Sequence, residues 1–489
     1  MSSIFRPALA LMSGRILGGL VSALVPLVLV RLLDPAAFGT YKQVFLIYAT
    51  LFGIAQIGMA ECLYYFLPHE PRHAGRFVAN SLLVLLAAGL LCLGLLTLLA
   101  PAVARAMNNP ALAAPLTLLG VFLALMLVSD VLEIAMTARG RFLLAASTFA
   151  VSDLLRSVLF VVPVLLFGSV RALLIGAALF ALLRVSAAVG WLWREYGSEL
   201  RIDRALLRVQ LAYALPFAAA VLVYVLQENF HQYAVSSRFD AATFAVYAVG
   251  CLQIPLVDFL STSVSSLMML KMAEDRTAGR IDRLLPHWHD TTRKLALLFC
   301  PLVGLLLVNA RATIHILFTA RFLASAPILM LWSLAFLAAI LQIDAVLRVY
   351  ADTRFLLIMN LGRLALVLLL IQPFLTLFGL PGAVLVTLLA LFSGKAVALF
   401  RIGHLMQVDM RRLLPWSDLG RIAAACAGAL LPALLIRSAV PQSPWISLLA
   451  TGSIYAITCA TLLLLFKAVT IPPAVFSLAW MGSARGQTP

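Results

Sequence analysis

Long apolar runs separated by short polar segments extend from the start of the chain to about residue 468. These runs lack the strict polar and apolar alternation that marks a half-buried strand. Each is close to the roughly 20 residues that an α-helix needs to cross a bilayer. The pattern therefore predicts about fourteen membrane-spanning helices, at about 8–33, 44–67, 78–100, 113–138, 146–168, 170–193, 209–234, 242–264, 294–318, 326–348, 355–378, 380–403, 420–440 and 446–468.

The composition indicates the same fold class. Hydrophobic residues make up 63% of the 489 residues and charged residues 11%, whereas a soluble domain averages roughly 45–50% apolar and 25% charged residues. A soluble fold would leave large apolar surfaces in water, and an outer-membrane barrel needs alternating strands. We therefore expect an all-α polytopic membrane protein whose backbone groups are hydrogen-bonded within each helix.

Membrane topology explains the net charge of +16. About two thirds of the lysines and arginines fall in cytoplasmic segments if the N-terminus is cytoplasmic. No polar segment is long enough for a basic nucleic-acid-binding domain, so no nucleic-acid partner is expected. This bias and the even helix number predict that both termini lie on the cytoplasmic side.

Neither the N-terminus nor the cysteines indicate processing or cross-linking. The first apolar run is too long for a cleaved signal peptide and has no small-residue cleavage site, so it should be the first span. The six cysteines have no paired spacing, so neither disulfides nor zinc is expected. His287 and His289 lie in a loop without further ligands, so no metal site is expected there.

Two short motifs recur between the halves of the chain. Asp34, Phe38 and Tyr41 follow the first span, and Asp240, Phe244 and Tyr247 follow the seventh in the same register. The sequence Arg-Phe-Leu-Leu also occurs twice, at 141–144 before the fifth span and at 354–357 before the eleventh. The recurrences indicate two six-helix bundles.

We accordingly predict an N-terminal bundle at 1–200, a second bundle at 201–410, and two additional helices with a cytoplasmic tail at 411–489. An even number of spans between the copies makes the repeat parallel, with a pseudo-two-fold axis along the membrane normal. Transporters built in this way bind substrate between the halves and alternate its exposure by rocking them.

These segments resemble those of a known family. The segment 31–41 (Arg-Leu-Leu-Asp-Pro-Ala-Ala-Phe-Gly-Thr-Tyr), the Tyr213-Ala-Leu-Pro216 opening of the seventh span, and 240–247 followed by Pro255 are similar to the polysaccharide-flippase branch of the multidrug/oligosaccharidyl-lipid/polysaccharide (MOP) exporter superfamily. The Wzx-like O-antigen and exopolysaccharide flippases are the most similar type. The fixed basic motif of the peptidoglycan-precursor flippases is absent apart from Arg15.

The resemblance implies a V-shaped pair of bundles around a central cavity in the bacterial inner membrane. It implies transport of undecaprenyl-pyrophosphate-linked oligosaccharide from the cytoplasmic to the periplasmic leaflet, for O-antigen, capsule or exopolysaccharide. The expected partners are membrane lipids, the lipid-linked glycan, and the polymerase and glycosyltransferases of the same pathway. The last two helices are extra to the repeats and are expected to form a lipid-facing groove.

Charged residues inside spans are costly and are therefore candidates for function. Arg156 and Arg184 lie deepest in their spans, and a guanidinium matches phosphate oxygens. The alternative for Arg156 is an ion pair with Asp153, three residues earlier on the same helix face, whereas Arg184 has no acidic neighbour on its own helix. Arg363 and Arg15 are further cavity cations, with snorkelling to lipid phosphates as the alternative.

Polar residues in other spans are candidates for a gate or for ion coupling. Glu228 and His231 share a helix face with Tyr224 and Gln232 in the seventh span, where a hydrogen-bonded packing cluster is the alternative. The remaining gate or coupling candidates are Asp258, on one face with Ser261, Thr262 and Ser265, and Asp130, Asp153 and Asp344.

No nucleotide-binding loop or nucleophile motif is present in the sequence. We therefore expect a transporter and not an enzyme, with no cofactor and with energy from an H⁺ or Na⁺ gradient. A drug or cation antiporter of the same fold is one alternative function, although it would favour an anionic cavity. A membrane glycosyltransferase or polysaccharide polymerase is another, although the predicted outer loops are short for such enzymes.

Overall fold

The computed structural model describes residues 18–19, 21–439 and 443–468 of the chain. Their regular structure is helical throughout. The α-helices are α1 Val21–Leu32, α2 Pro35–Ala55, α3 Leu63–His69, α4 Ala74–Leu98, α5 Ala100–Ala106, α6 Ala113–Ser129, α7 Val131–Ala138, α8 Phe142–Phe167, α9 Val170–Tyr196, α10 Arg204–Arg238, α11 Ala241–Gly250, α12 Pro255–Thr277, α13 Leu284–Phe318, α14 Ala326–Ser333, α15 Ala335–Ala338, α16 Ile343–Val349, α17 Thr353–Phe378, α18 Leu380–Met406, α19 Met410–Leu413, α20 Trp416–Ala439 and α21 Pro444–Leu465.

The described residues contain twelve helical stretches that are long and apolar enough to cross a membrane, and α1 and α11 are shorter apolar helices. Large apolar side chains project outward from the long helices, and Leu98, Phe167, Leu369, Leu377 and Leu435 are each more than 70% exposed. Apolar surface of this extent is typical of a lipid-facing protein. The all-α polytopic class is confirmed, and the number of fourteen spans stays a prediction.

The Asp-Phe-Tyr motif forms the same local structure in both copies. Asp34 and Asp240 are N-cap residues whose carboxylates accept from the backbone N–H three residues later, at 2.8 and 3.2 Å. The aromatic residues four positions after them, Phe38 and Phe244, are fully buried. A capping carboxylate satisfies a backbone donor that would otherwise be unpaired. The recurrence therefore repeats a helix start.

The two copies of the motif also pack against each other, because α2 and α11 lie side by side. A Cβ placed on Gly39 would lie 1.8 Å from the carbonyl oxygen of Ala241. Only glycine permits this approach of the two backbones.

The Arg-Phe-Leu-Leu motif starts two similar helical hairpins. Helices α8 and α17 each have 26 residues, α9 and α18 each have 27, and both turns contain a glycine at φ +61°, Gly168 and Gly379. The second helix of each hairpin has a glycine against the first, since a Cβ on Gly176 would meet Leu159 O at 1.9 Å and one on Gly382 would meet Phe374 O at 2.1 Å. The repeat thus extends to helix lengths and turns.

Three predicted spans are interrupted. The second span was expected at 44–67, but α2 begins at Pro35 and ends before an irregular segment at 56–62. The fourth is divided into α6 and α7 at Asp130, and the tenth into α14, α15 and α16. Polar side chains in these interruptions favour turns over continued helix.

The basic connector before α10 is fixed to α4. Asp203 caps α10 and accepts a hydrogen bond from Arg76 Nη1 at 3.1 Å, and its backbone exchanges two hydrogen bonds with the Asn80 side chain. The N–H groups of Leu206 and Ala205, followed by Arg76, hold the pKa of Asp203 below its usual range.

Contacts divide the described residues into two compact units. The first comprises the chain up to Leu256 together with Leu317–Ile328 and Arg354–Gly394. The second comprises Val257–Ile316, Leu329–Thr353 and the chain from Lys395, and includes the mutually packed α20 and α21. The predicted boundaries near 200 and 410 stay a prediction.

Candidate substrate cavity

The first unit contains a cavity of about 360 Å³, the unit 1 cavity. Its polar lining consists of one cation, Lys42, and three carboxamides, Asn229, Gln232 and Gln253. No carboxylate lines it within the described part of the chain. The other lining residues are Ala23, Pro26, Leu27, Phe45, Leu46, Ala49, Ala248, Cys251, Leu252, Pro255 and Phe318.

Lys42 lies two turns into α2. Its ammonium is 5.6 Å from the ring centre of Phe38 and 5.7 Å from that of Tyr41, positions where ring π-electrons attract a cation. Among the described residues it has no carboxylate partner. Its charge is therefore available to an anion in the cavity.

A buried hydrogen-bond network fixes α2 beside Lys42. Gln43 donates to Ser236 Oγ at 2.7 Å and to Met107 O at 3.1 Å, and accepts from Asn109 at 2.6 Å. Asn109 also donates to Thr40 Oγ1 at 2.8 Å. A satisfied buried network limits the movement of its helix, so the position of Lys42 is set before a ligand binds.

Arg156 does not line the unit 1 cavity, but it binds a residue that adjoins the lining in sequence. Its guanidinium pairs with Asp153 at 2.7 Å and donates to Ser22 Oγ at 2.6 Å, and Ser22 precedes the lining residue Ala23. The Arg156 side chain is 32% exposed. The ion pair with Asp153 that was the alternative for this residue is present.

Arg184 is in a different environment. It pairs with Glu133 of α7 at 2.7 Å and donates to Ser129 Oγ at 3.0 Å, with only 9% of its side chain and 2% of the Glu133 side chain exposed. The absence of an acidic neighbour on α9 had favoured Arg184 over Arg156, but the acidic partner comes from another helix. Arg184 does not line the unit 1 cavity.

Asp130 lies at the interruption between α6 and α7 and accepts a hydrogen bond from Gln56 Nε2 at 2.8 Å. Gln56 in turn lies at the interruption after α2. Two interrupted spans are thus joined by one hydrogen bond next to the Arg184 pair. The ion-coupling role of Asp130 stays a prediction.

Arg363 contacts α10. With the Gln227 amide oriented so that its oxygen faces the guanidinium, that oxygen accepts from Nη2 and Nη1 at 3.0 and 3.2 Å, and the amide nitrogen donates to Asn360. This places Arg363 beside the seventh predicted span. Arg15, the fourth predicted cavity cation, lies outside the described residues.

The polar residues of the seventh span do not share one environment. Gln232 lines the unit 1 cavity, whereas His231 is buried and its Nδ1 lies 2.6 Å from the Tyr247 hydroxyl. Glu228 and Tyr224 are exposed. The packing alternative thus describes His231, and the gate role of Glu228 and His231 stays a prediction.

Asp258 and Asp344 belong to the second unit. Asp258 is exposed in the first turn of α12. Asp344 lines a separate cavity together with Ser261, Thr262 and Ser265 of α12. Three of the residues grouped on one face of the eighth predicted span, Ser261, Thr262 and Ser265, therefore share a cavity with Asp344, whereas Asp258 is not among its lining residues.

Solved transporters have a similar fold. MurJ, a lipid II flippase in an inward closed conformation, aligns with a TM-score of 0.73 over 95% of this chain and 99% of its own, at 13% identity. An inward-facing multidrug resistance transporter of the MATE family of the MOP superfamily gives 0.59 over 79% and 95%, at 16% identity. A MOP superfamily transporter from Pyrococcus furiosus, described as having a binding pocket of reverse polarity, gives 0.54 over 82% and 95%, at 16% identity.

The chain therefore has the same multi-helix fold as these solved transporters. The sequence family described as polysaccharide biosynthesis protein matches residues 28–327, more than half of the chain. The chain belongs to this family, which confirms the predicted polysaccharide branch. A search of curated proteins gave no significant match.

Proposed function

We propose that the protein is a flippase for an undecaprenyl-pyrophosphate-linked oligosaccharide. It moves the repeat unit from the cytoplasmic to the periplasmic leaflet of a bacterial inner membrane, for O-antigen, capsule or exopolysaccharide synthesis. In this proposal both termini are cytoplasmic, and an ion gradient supplies the energy. The family of polysaccharide biosynthesis proteins and the MOP fold support this class of function.

The observation that carries the proposal is the charge of the unit 1 cavity. Lys42 is its cation, three carboxamides supply further donors, and no carboxylate lines it among the described residues. A pyrophosphate is a dense anion, and its hydrogen bonds to an ammonium are stronger than those between neutral groups. The Lys42 charge would offset part of the cost of bringing that headgroup into the membrane.

The size of the cavity also limits what it can hold. Sites for drug-sized ligands have volumes of roughly 300–1,000 Å³, and about 360 Å³ is near the lower end. The unit 1 cavity would therefore receive the pyrophosphate and the adjoining part of the headgroup. Arg156 binds Ser22, the residue before the lining residue Ala23, and in this proposal it is a second cation for the phosphates.

A cation or drug antiporter is disfavoured by the same observation. A site for organic cations needs an anionic or aromatic lining without a competing positive charge, and Lys42 supplies that positive charge. Ethidium efflux that depends on the protein would favour this rival.

The test replaces Lys42 and follows translocation in proteoliposomes. A fluorescent undecaprenyl-pyrophosphate oligosaccharide is placed in both leaflets, and transport is read as the change in its accessibility to a membrane-impermeant glycosidase. We expect Lys42→Met to lower the transport rate by about tenfold to a hundredfold, the range expected for one charge-assisted contact, and Lys42→Arg to restore much of it.

Lys294→Met is the matched control. Its ammonium pairs with Asp290 at 2.6 Å and its side chain is 67% exposed, so transport should be unchanged. Full transport by Lys42→Met at equal protein content would contradict the phosphate-binding role. Formation of a new glycosidic bond by the purified protein with a sugar donor and acceptor would favour the glycosyltransferase or polymerase alternative.

A further inference from the structure

Four hydroxyl side chains of α12 project into one cavity of the second unit. Ser261, Thr262, Ser265 and Ser266 line a space of about 210 Å³, which we call the hydroxyl pocket. The spacing puts all four on adjacent rows of one helix face. Together with the amide of Gln342, which precedes α16, and a carboxylate and a guanidinium from α16, they make its lining mainly polar.

These hydroxyls are not used by their own helix. Serine and threonine in a membrane helix commonly donate to the carbonyl one turn earlier, and Thr277 of α12 does so to Ala273 O at 2.9 Å. Within the described residues, none of the four pocket hydroxyls makes such a bond, and the one hydrogen bond among them is Gln342 Nε2 to Ser261 Oγ at 2.8 Å. Their donors are therefore available to a ligand.

Helix α16 supplies the charged groups of the pocket. It begins after the interruption in the tenth predicted span, and Gln342 joins this start to α12 while also donating to Ala339 O at 2.6 Å. Asp344 and Arg348 lie one turn apart on α16, and both are exposed. Neither forms an ion pair or a side-chain hydrogen bond with another described residue.

The lining matches a neutral polyol better than an ion. Asp344 and Arg348 have opposite charges, so the pocket has no net charge for an anion to neutralise, and Arg348 opposes a metal cation. A carboxylate accepts, a guanidinium donates, and hydroxyls do both, which is the set that sugar hydroxyls require. The volume corresponds to about seven liquid water molecules, the scale of one monosaccharide ring.

We propose that the hydroxyl pocket is a saccharide subsite that binds one sugar ring of the transported glycan. The identity of the ligand rests on the proposed function, whereas the binding of a sugar ring does not. The pocket would provide recognition that is separate from the phosphate contacts of Lys42. Sugar preference would then depend on α12 and α16.

The experiment measures binding to the full-length protein in nanodiscs. Methyl glycosides of glucose, galactose and N-acetylglucosamine, and methyl glucuronide, are titrated by ligand-observed NMR, and undecaprenyl pyrophosphate without sugar is titrated in parallel. We expect at least one glycoside to bind. The Ser265→Ala/Ser266→Ala double variant should weaken it by about tenfold or more and leave the sugar-free lipid unaffected.

Two comparisons separate this proposal from the proposed function. Lys42→Met should weaken binding of the sugar-free lipid and leave binding of the glycoside unchanged. If Lys42→Met binds the sugar-free lipid normally, the phosphate site is contradicted and the saccharide subsite stays supported. Ser263→Ala, on the same helix but outside the pocket, should change the affinity for neither ligand. A thermal melt of each variant verifies folding.

Three results would overturn the saccharide subsite. One is binding of none of the four glycosides. Another is unchanged glycoside affinity in the folded double variant. The third is saturable ²³Na⁺ binding that Asp344→Asn abolishes while glycoside binding persists, which would make the pocket a cation site.

Discussion

The interruptions of the fourth and tenth predicted spans occupy equivalent places in the repeat but have different chemistry. In both cases a cation from the hairpin that follows reaches the interruption. Arg184 of α9 binds Ser129 and Glu133, and Lys395 of α18 donates to Leu341 O at 2.7 Å. An interrupted helix leaves backbone groups unpaired, and Lys395 pairs with one of them. Arg184 instead binds two side chains at its interruption.

The difference lies in the acidic groups. The first interruption contains Asp130 and Glu133, which are hydrogen-bonded or ion-paired inside the protein. The second contains Asp344, which faces the hydroxyl pocket without a partner among the described residues. One copy of the repeat therefore holds its charge in an internal pair, and the other presents it to a cavity. The depth of a charged residue in a span therefore does not by itself identify it as substrate-binding.

The largest expected effect comes from breaking the Arg184 pair. Arg184→Ala leaves Glu133 buried and unpaired, and removal of one partner of a buried pair costs about 3–5 kcal/mol. Arg184→Met combined with Glu133→Leu should recover most of that stability. Thermal unfolding in detergent, with the single and double variants in one cycle, measures the coupling.

Transport by the same variants sharpens the comparison. If the double variant is stable and transports normally, the pair is structural, as its 9% and 2% exposure suggests. If it is stable and inactive, the sequence-based hypothesis that Arg184 binds substrate gains support, and the contrast between the two interruptions fails.

Substitution of the tight glycines in the two hairpins should have an intermediate effect on stability. Gly176→Ala and Gly382→Ala each place a methyl group on a backbone carbonyl, at 1.9 and 2.1 Å, and overpacking of this kind costs about 1–3 kcal/mol. Gly190→Ala and Gly362→Ala have no neighbour within 4 Å and should be neutral or slightly stabilising. Thermal melts of all four variants measure the loss of stability. An unchanged stability of Gly176→Ala or Gly382→Ala would contradict the equivalence of the hairpins.

Lys395 should give the smallest effect. Lys395→Met removes one hydrogen bond, the donation to Leu341 O, from a half-buried site, so we expect a loss of about 1 kcal/mol. Lys395→Arg should retain most of the stability. The measured quantity is again the unfolding temperature. A loss as large as that of Arg184→Ala would mean that the two cations contribute equally.

The fold class followed from features that are local in sequence. Apolar run lengths predicted the helices, and the recurrence of Asp34 and Phe38 as Asp240 and Phe244 predicted a repeat that the caps and hairpins display. The start of α2 was misplaced because Lys42 and Gln43 reduce local hydropathy. The Asp34-Pro35 pair, an N-cap followed by proline in the first turn, was the signal that could have located it.

The site depended on contacts between distant segments. Lys42 falls between the first two predicted spans, 8–33 and 44–67, so charge inside the spans did not identify the cation that lines the unit 1 cavity. Arg184 has no acidic residue near it on its own helix, and its partner Glu133 is 51 residues away in sequence. Periodicity reports which residues share a helix face and carries no information on which helix packs against that face.

The contact of Gly39 with Ala241 joins the two copies of a repeated segment. A surface that meets its own duplicate has the character of an isologous interface. A half-length precursor with one copy would present the same face to a second molecule of itself, and gene fusion would turn that homodimer contact into an intramolecular one. Co-expression of the two halves as separate chains should therefore allow them to assemble through α2 and α11.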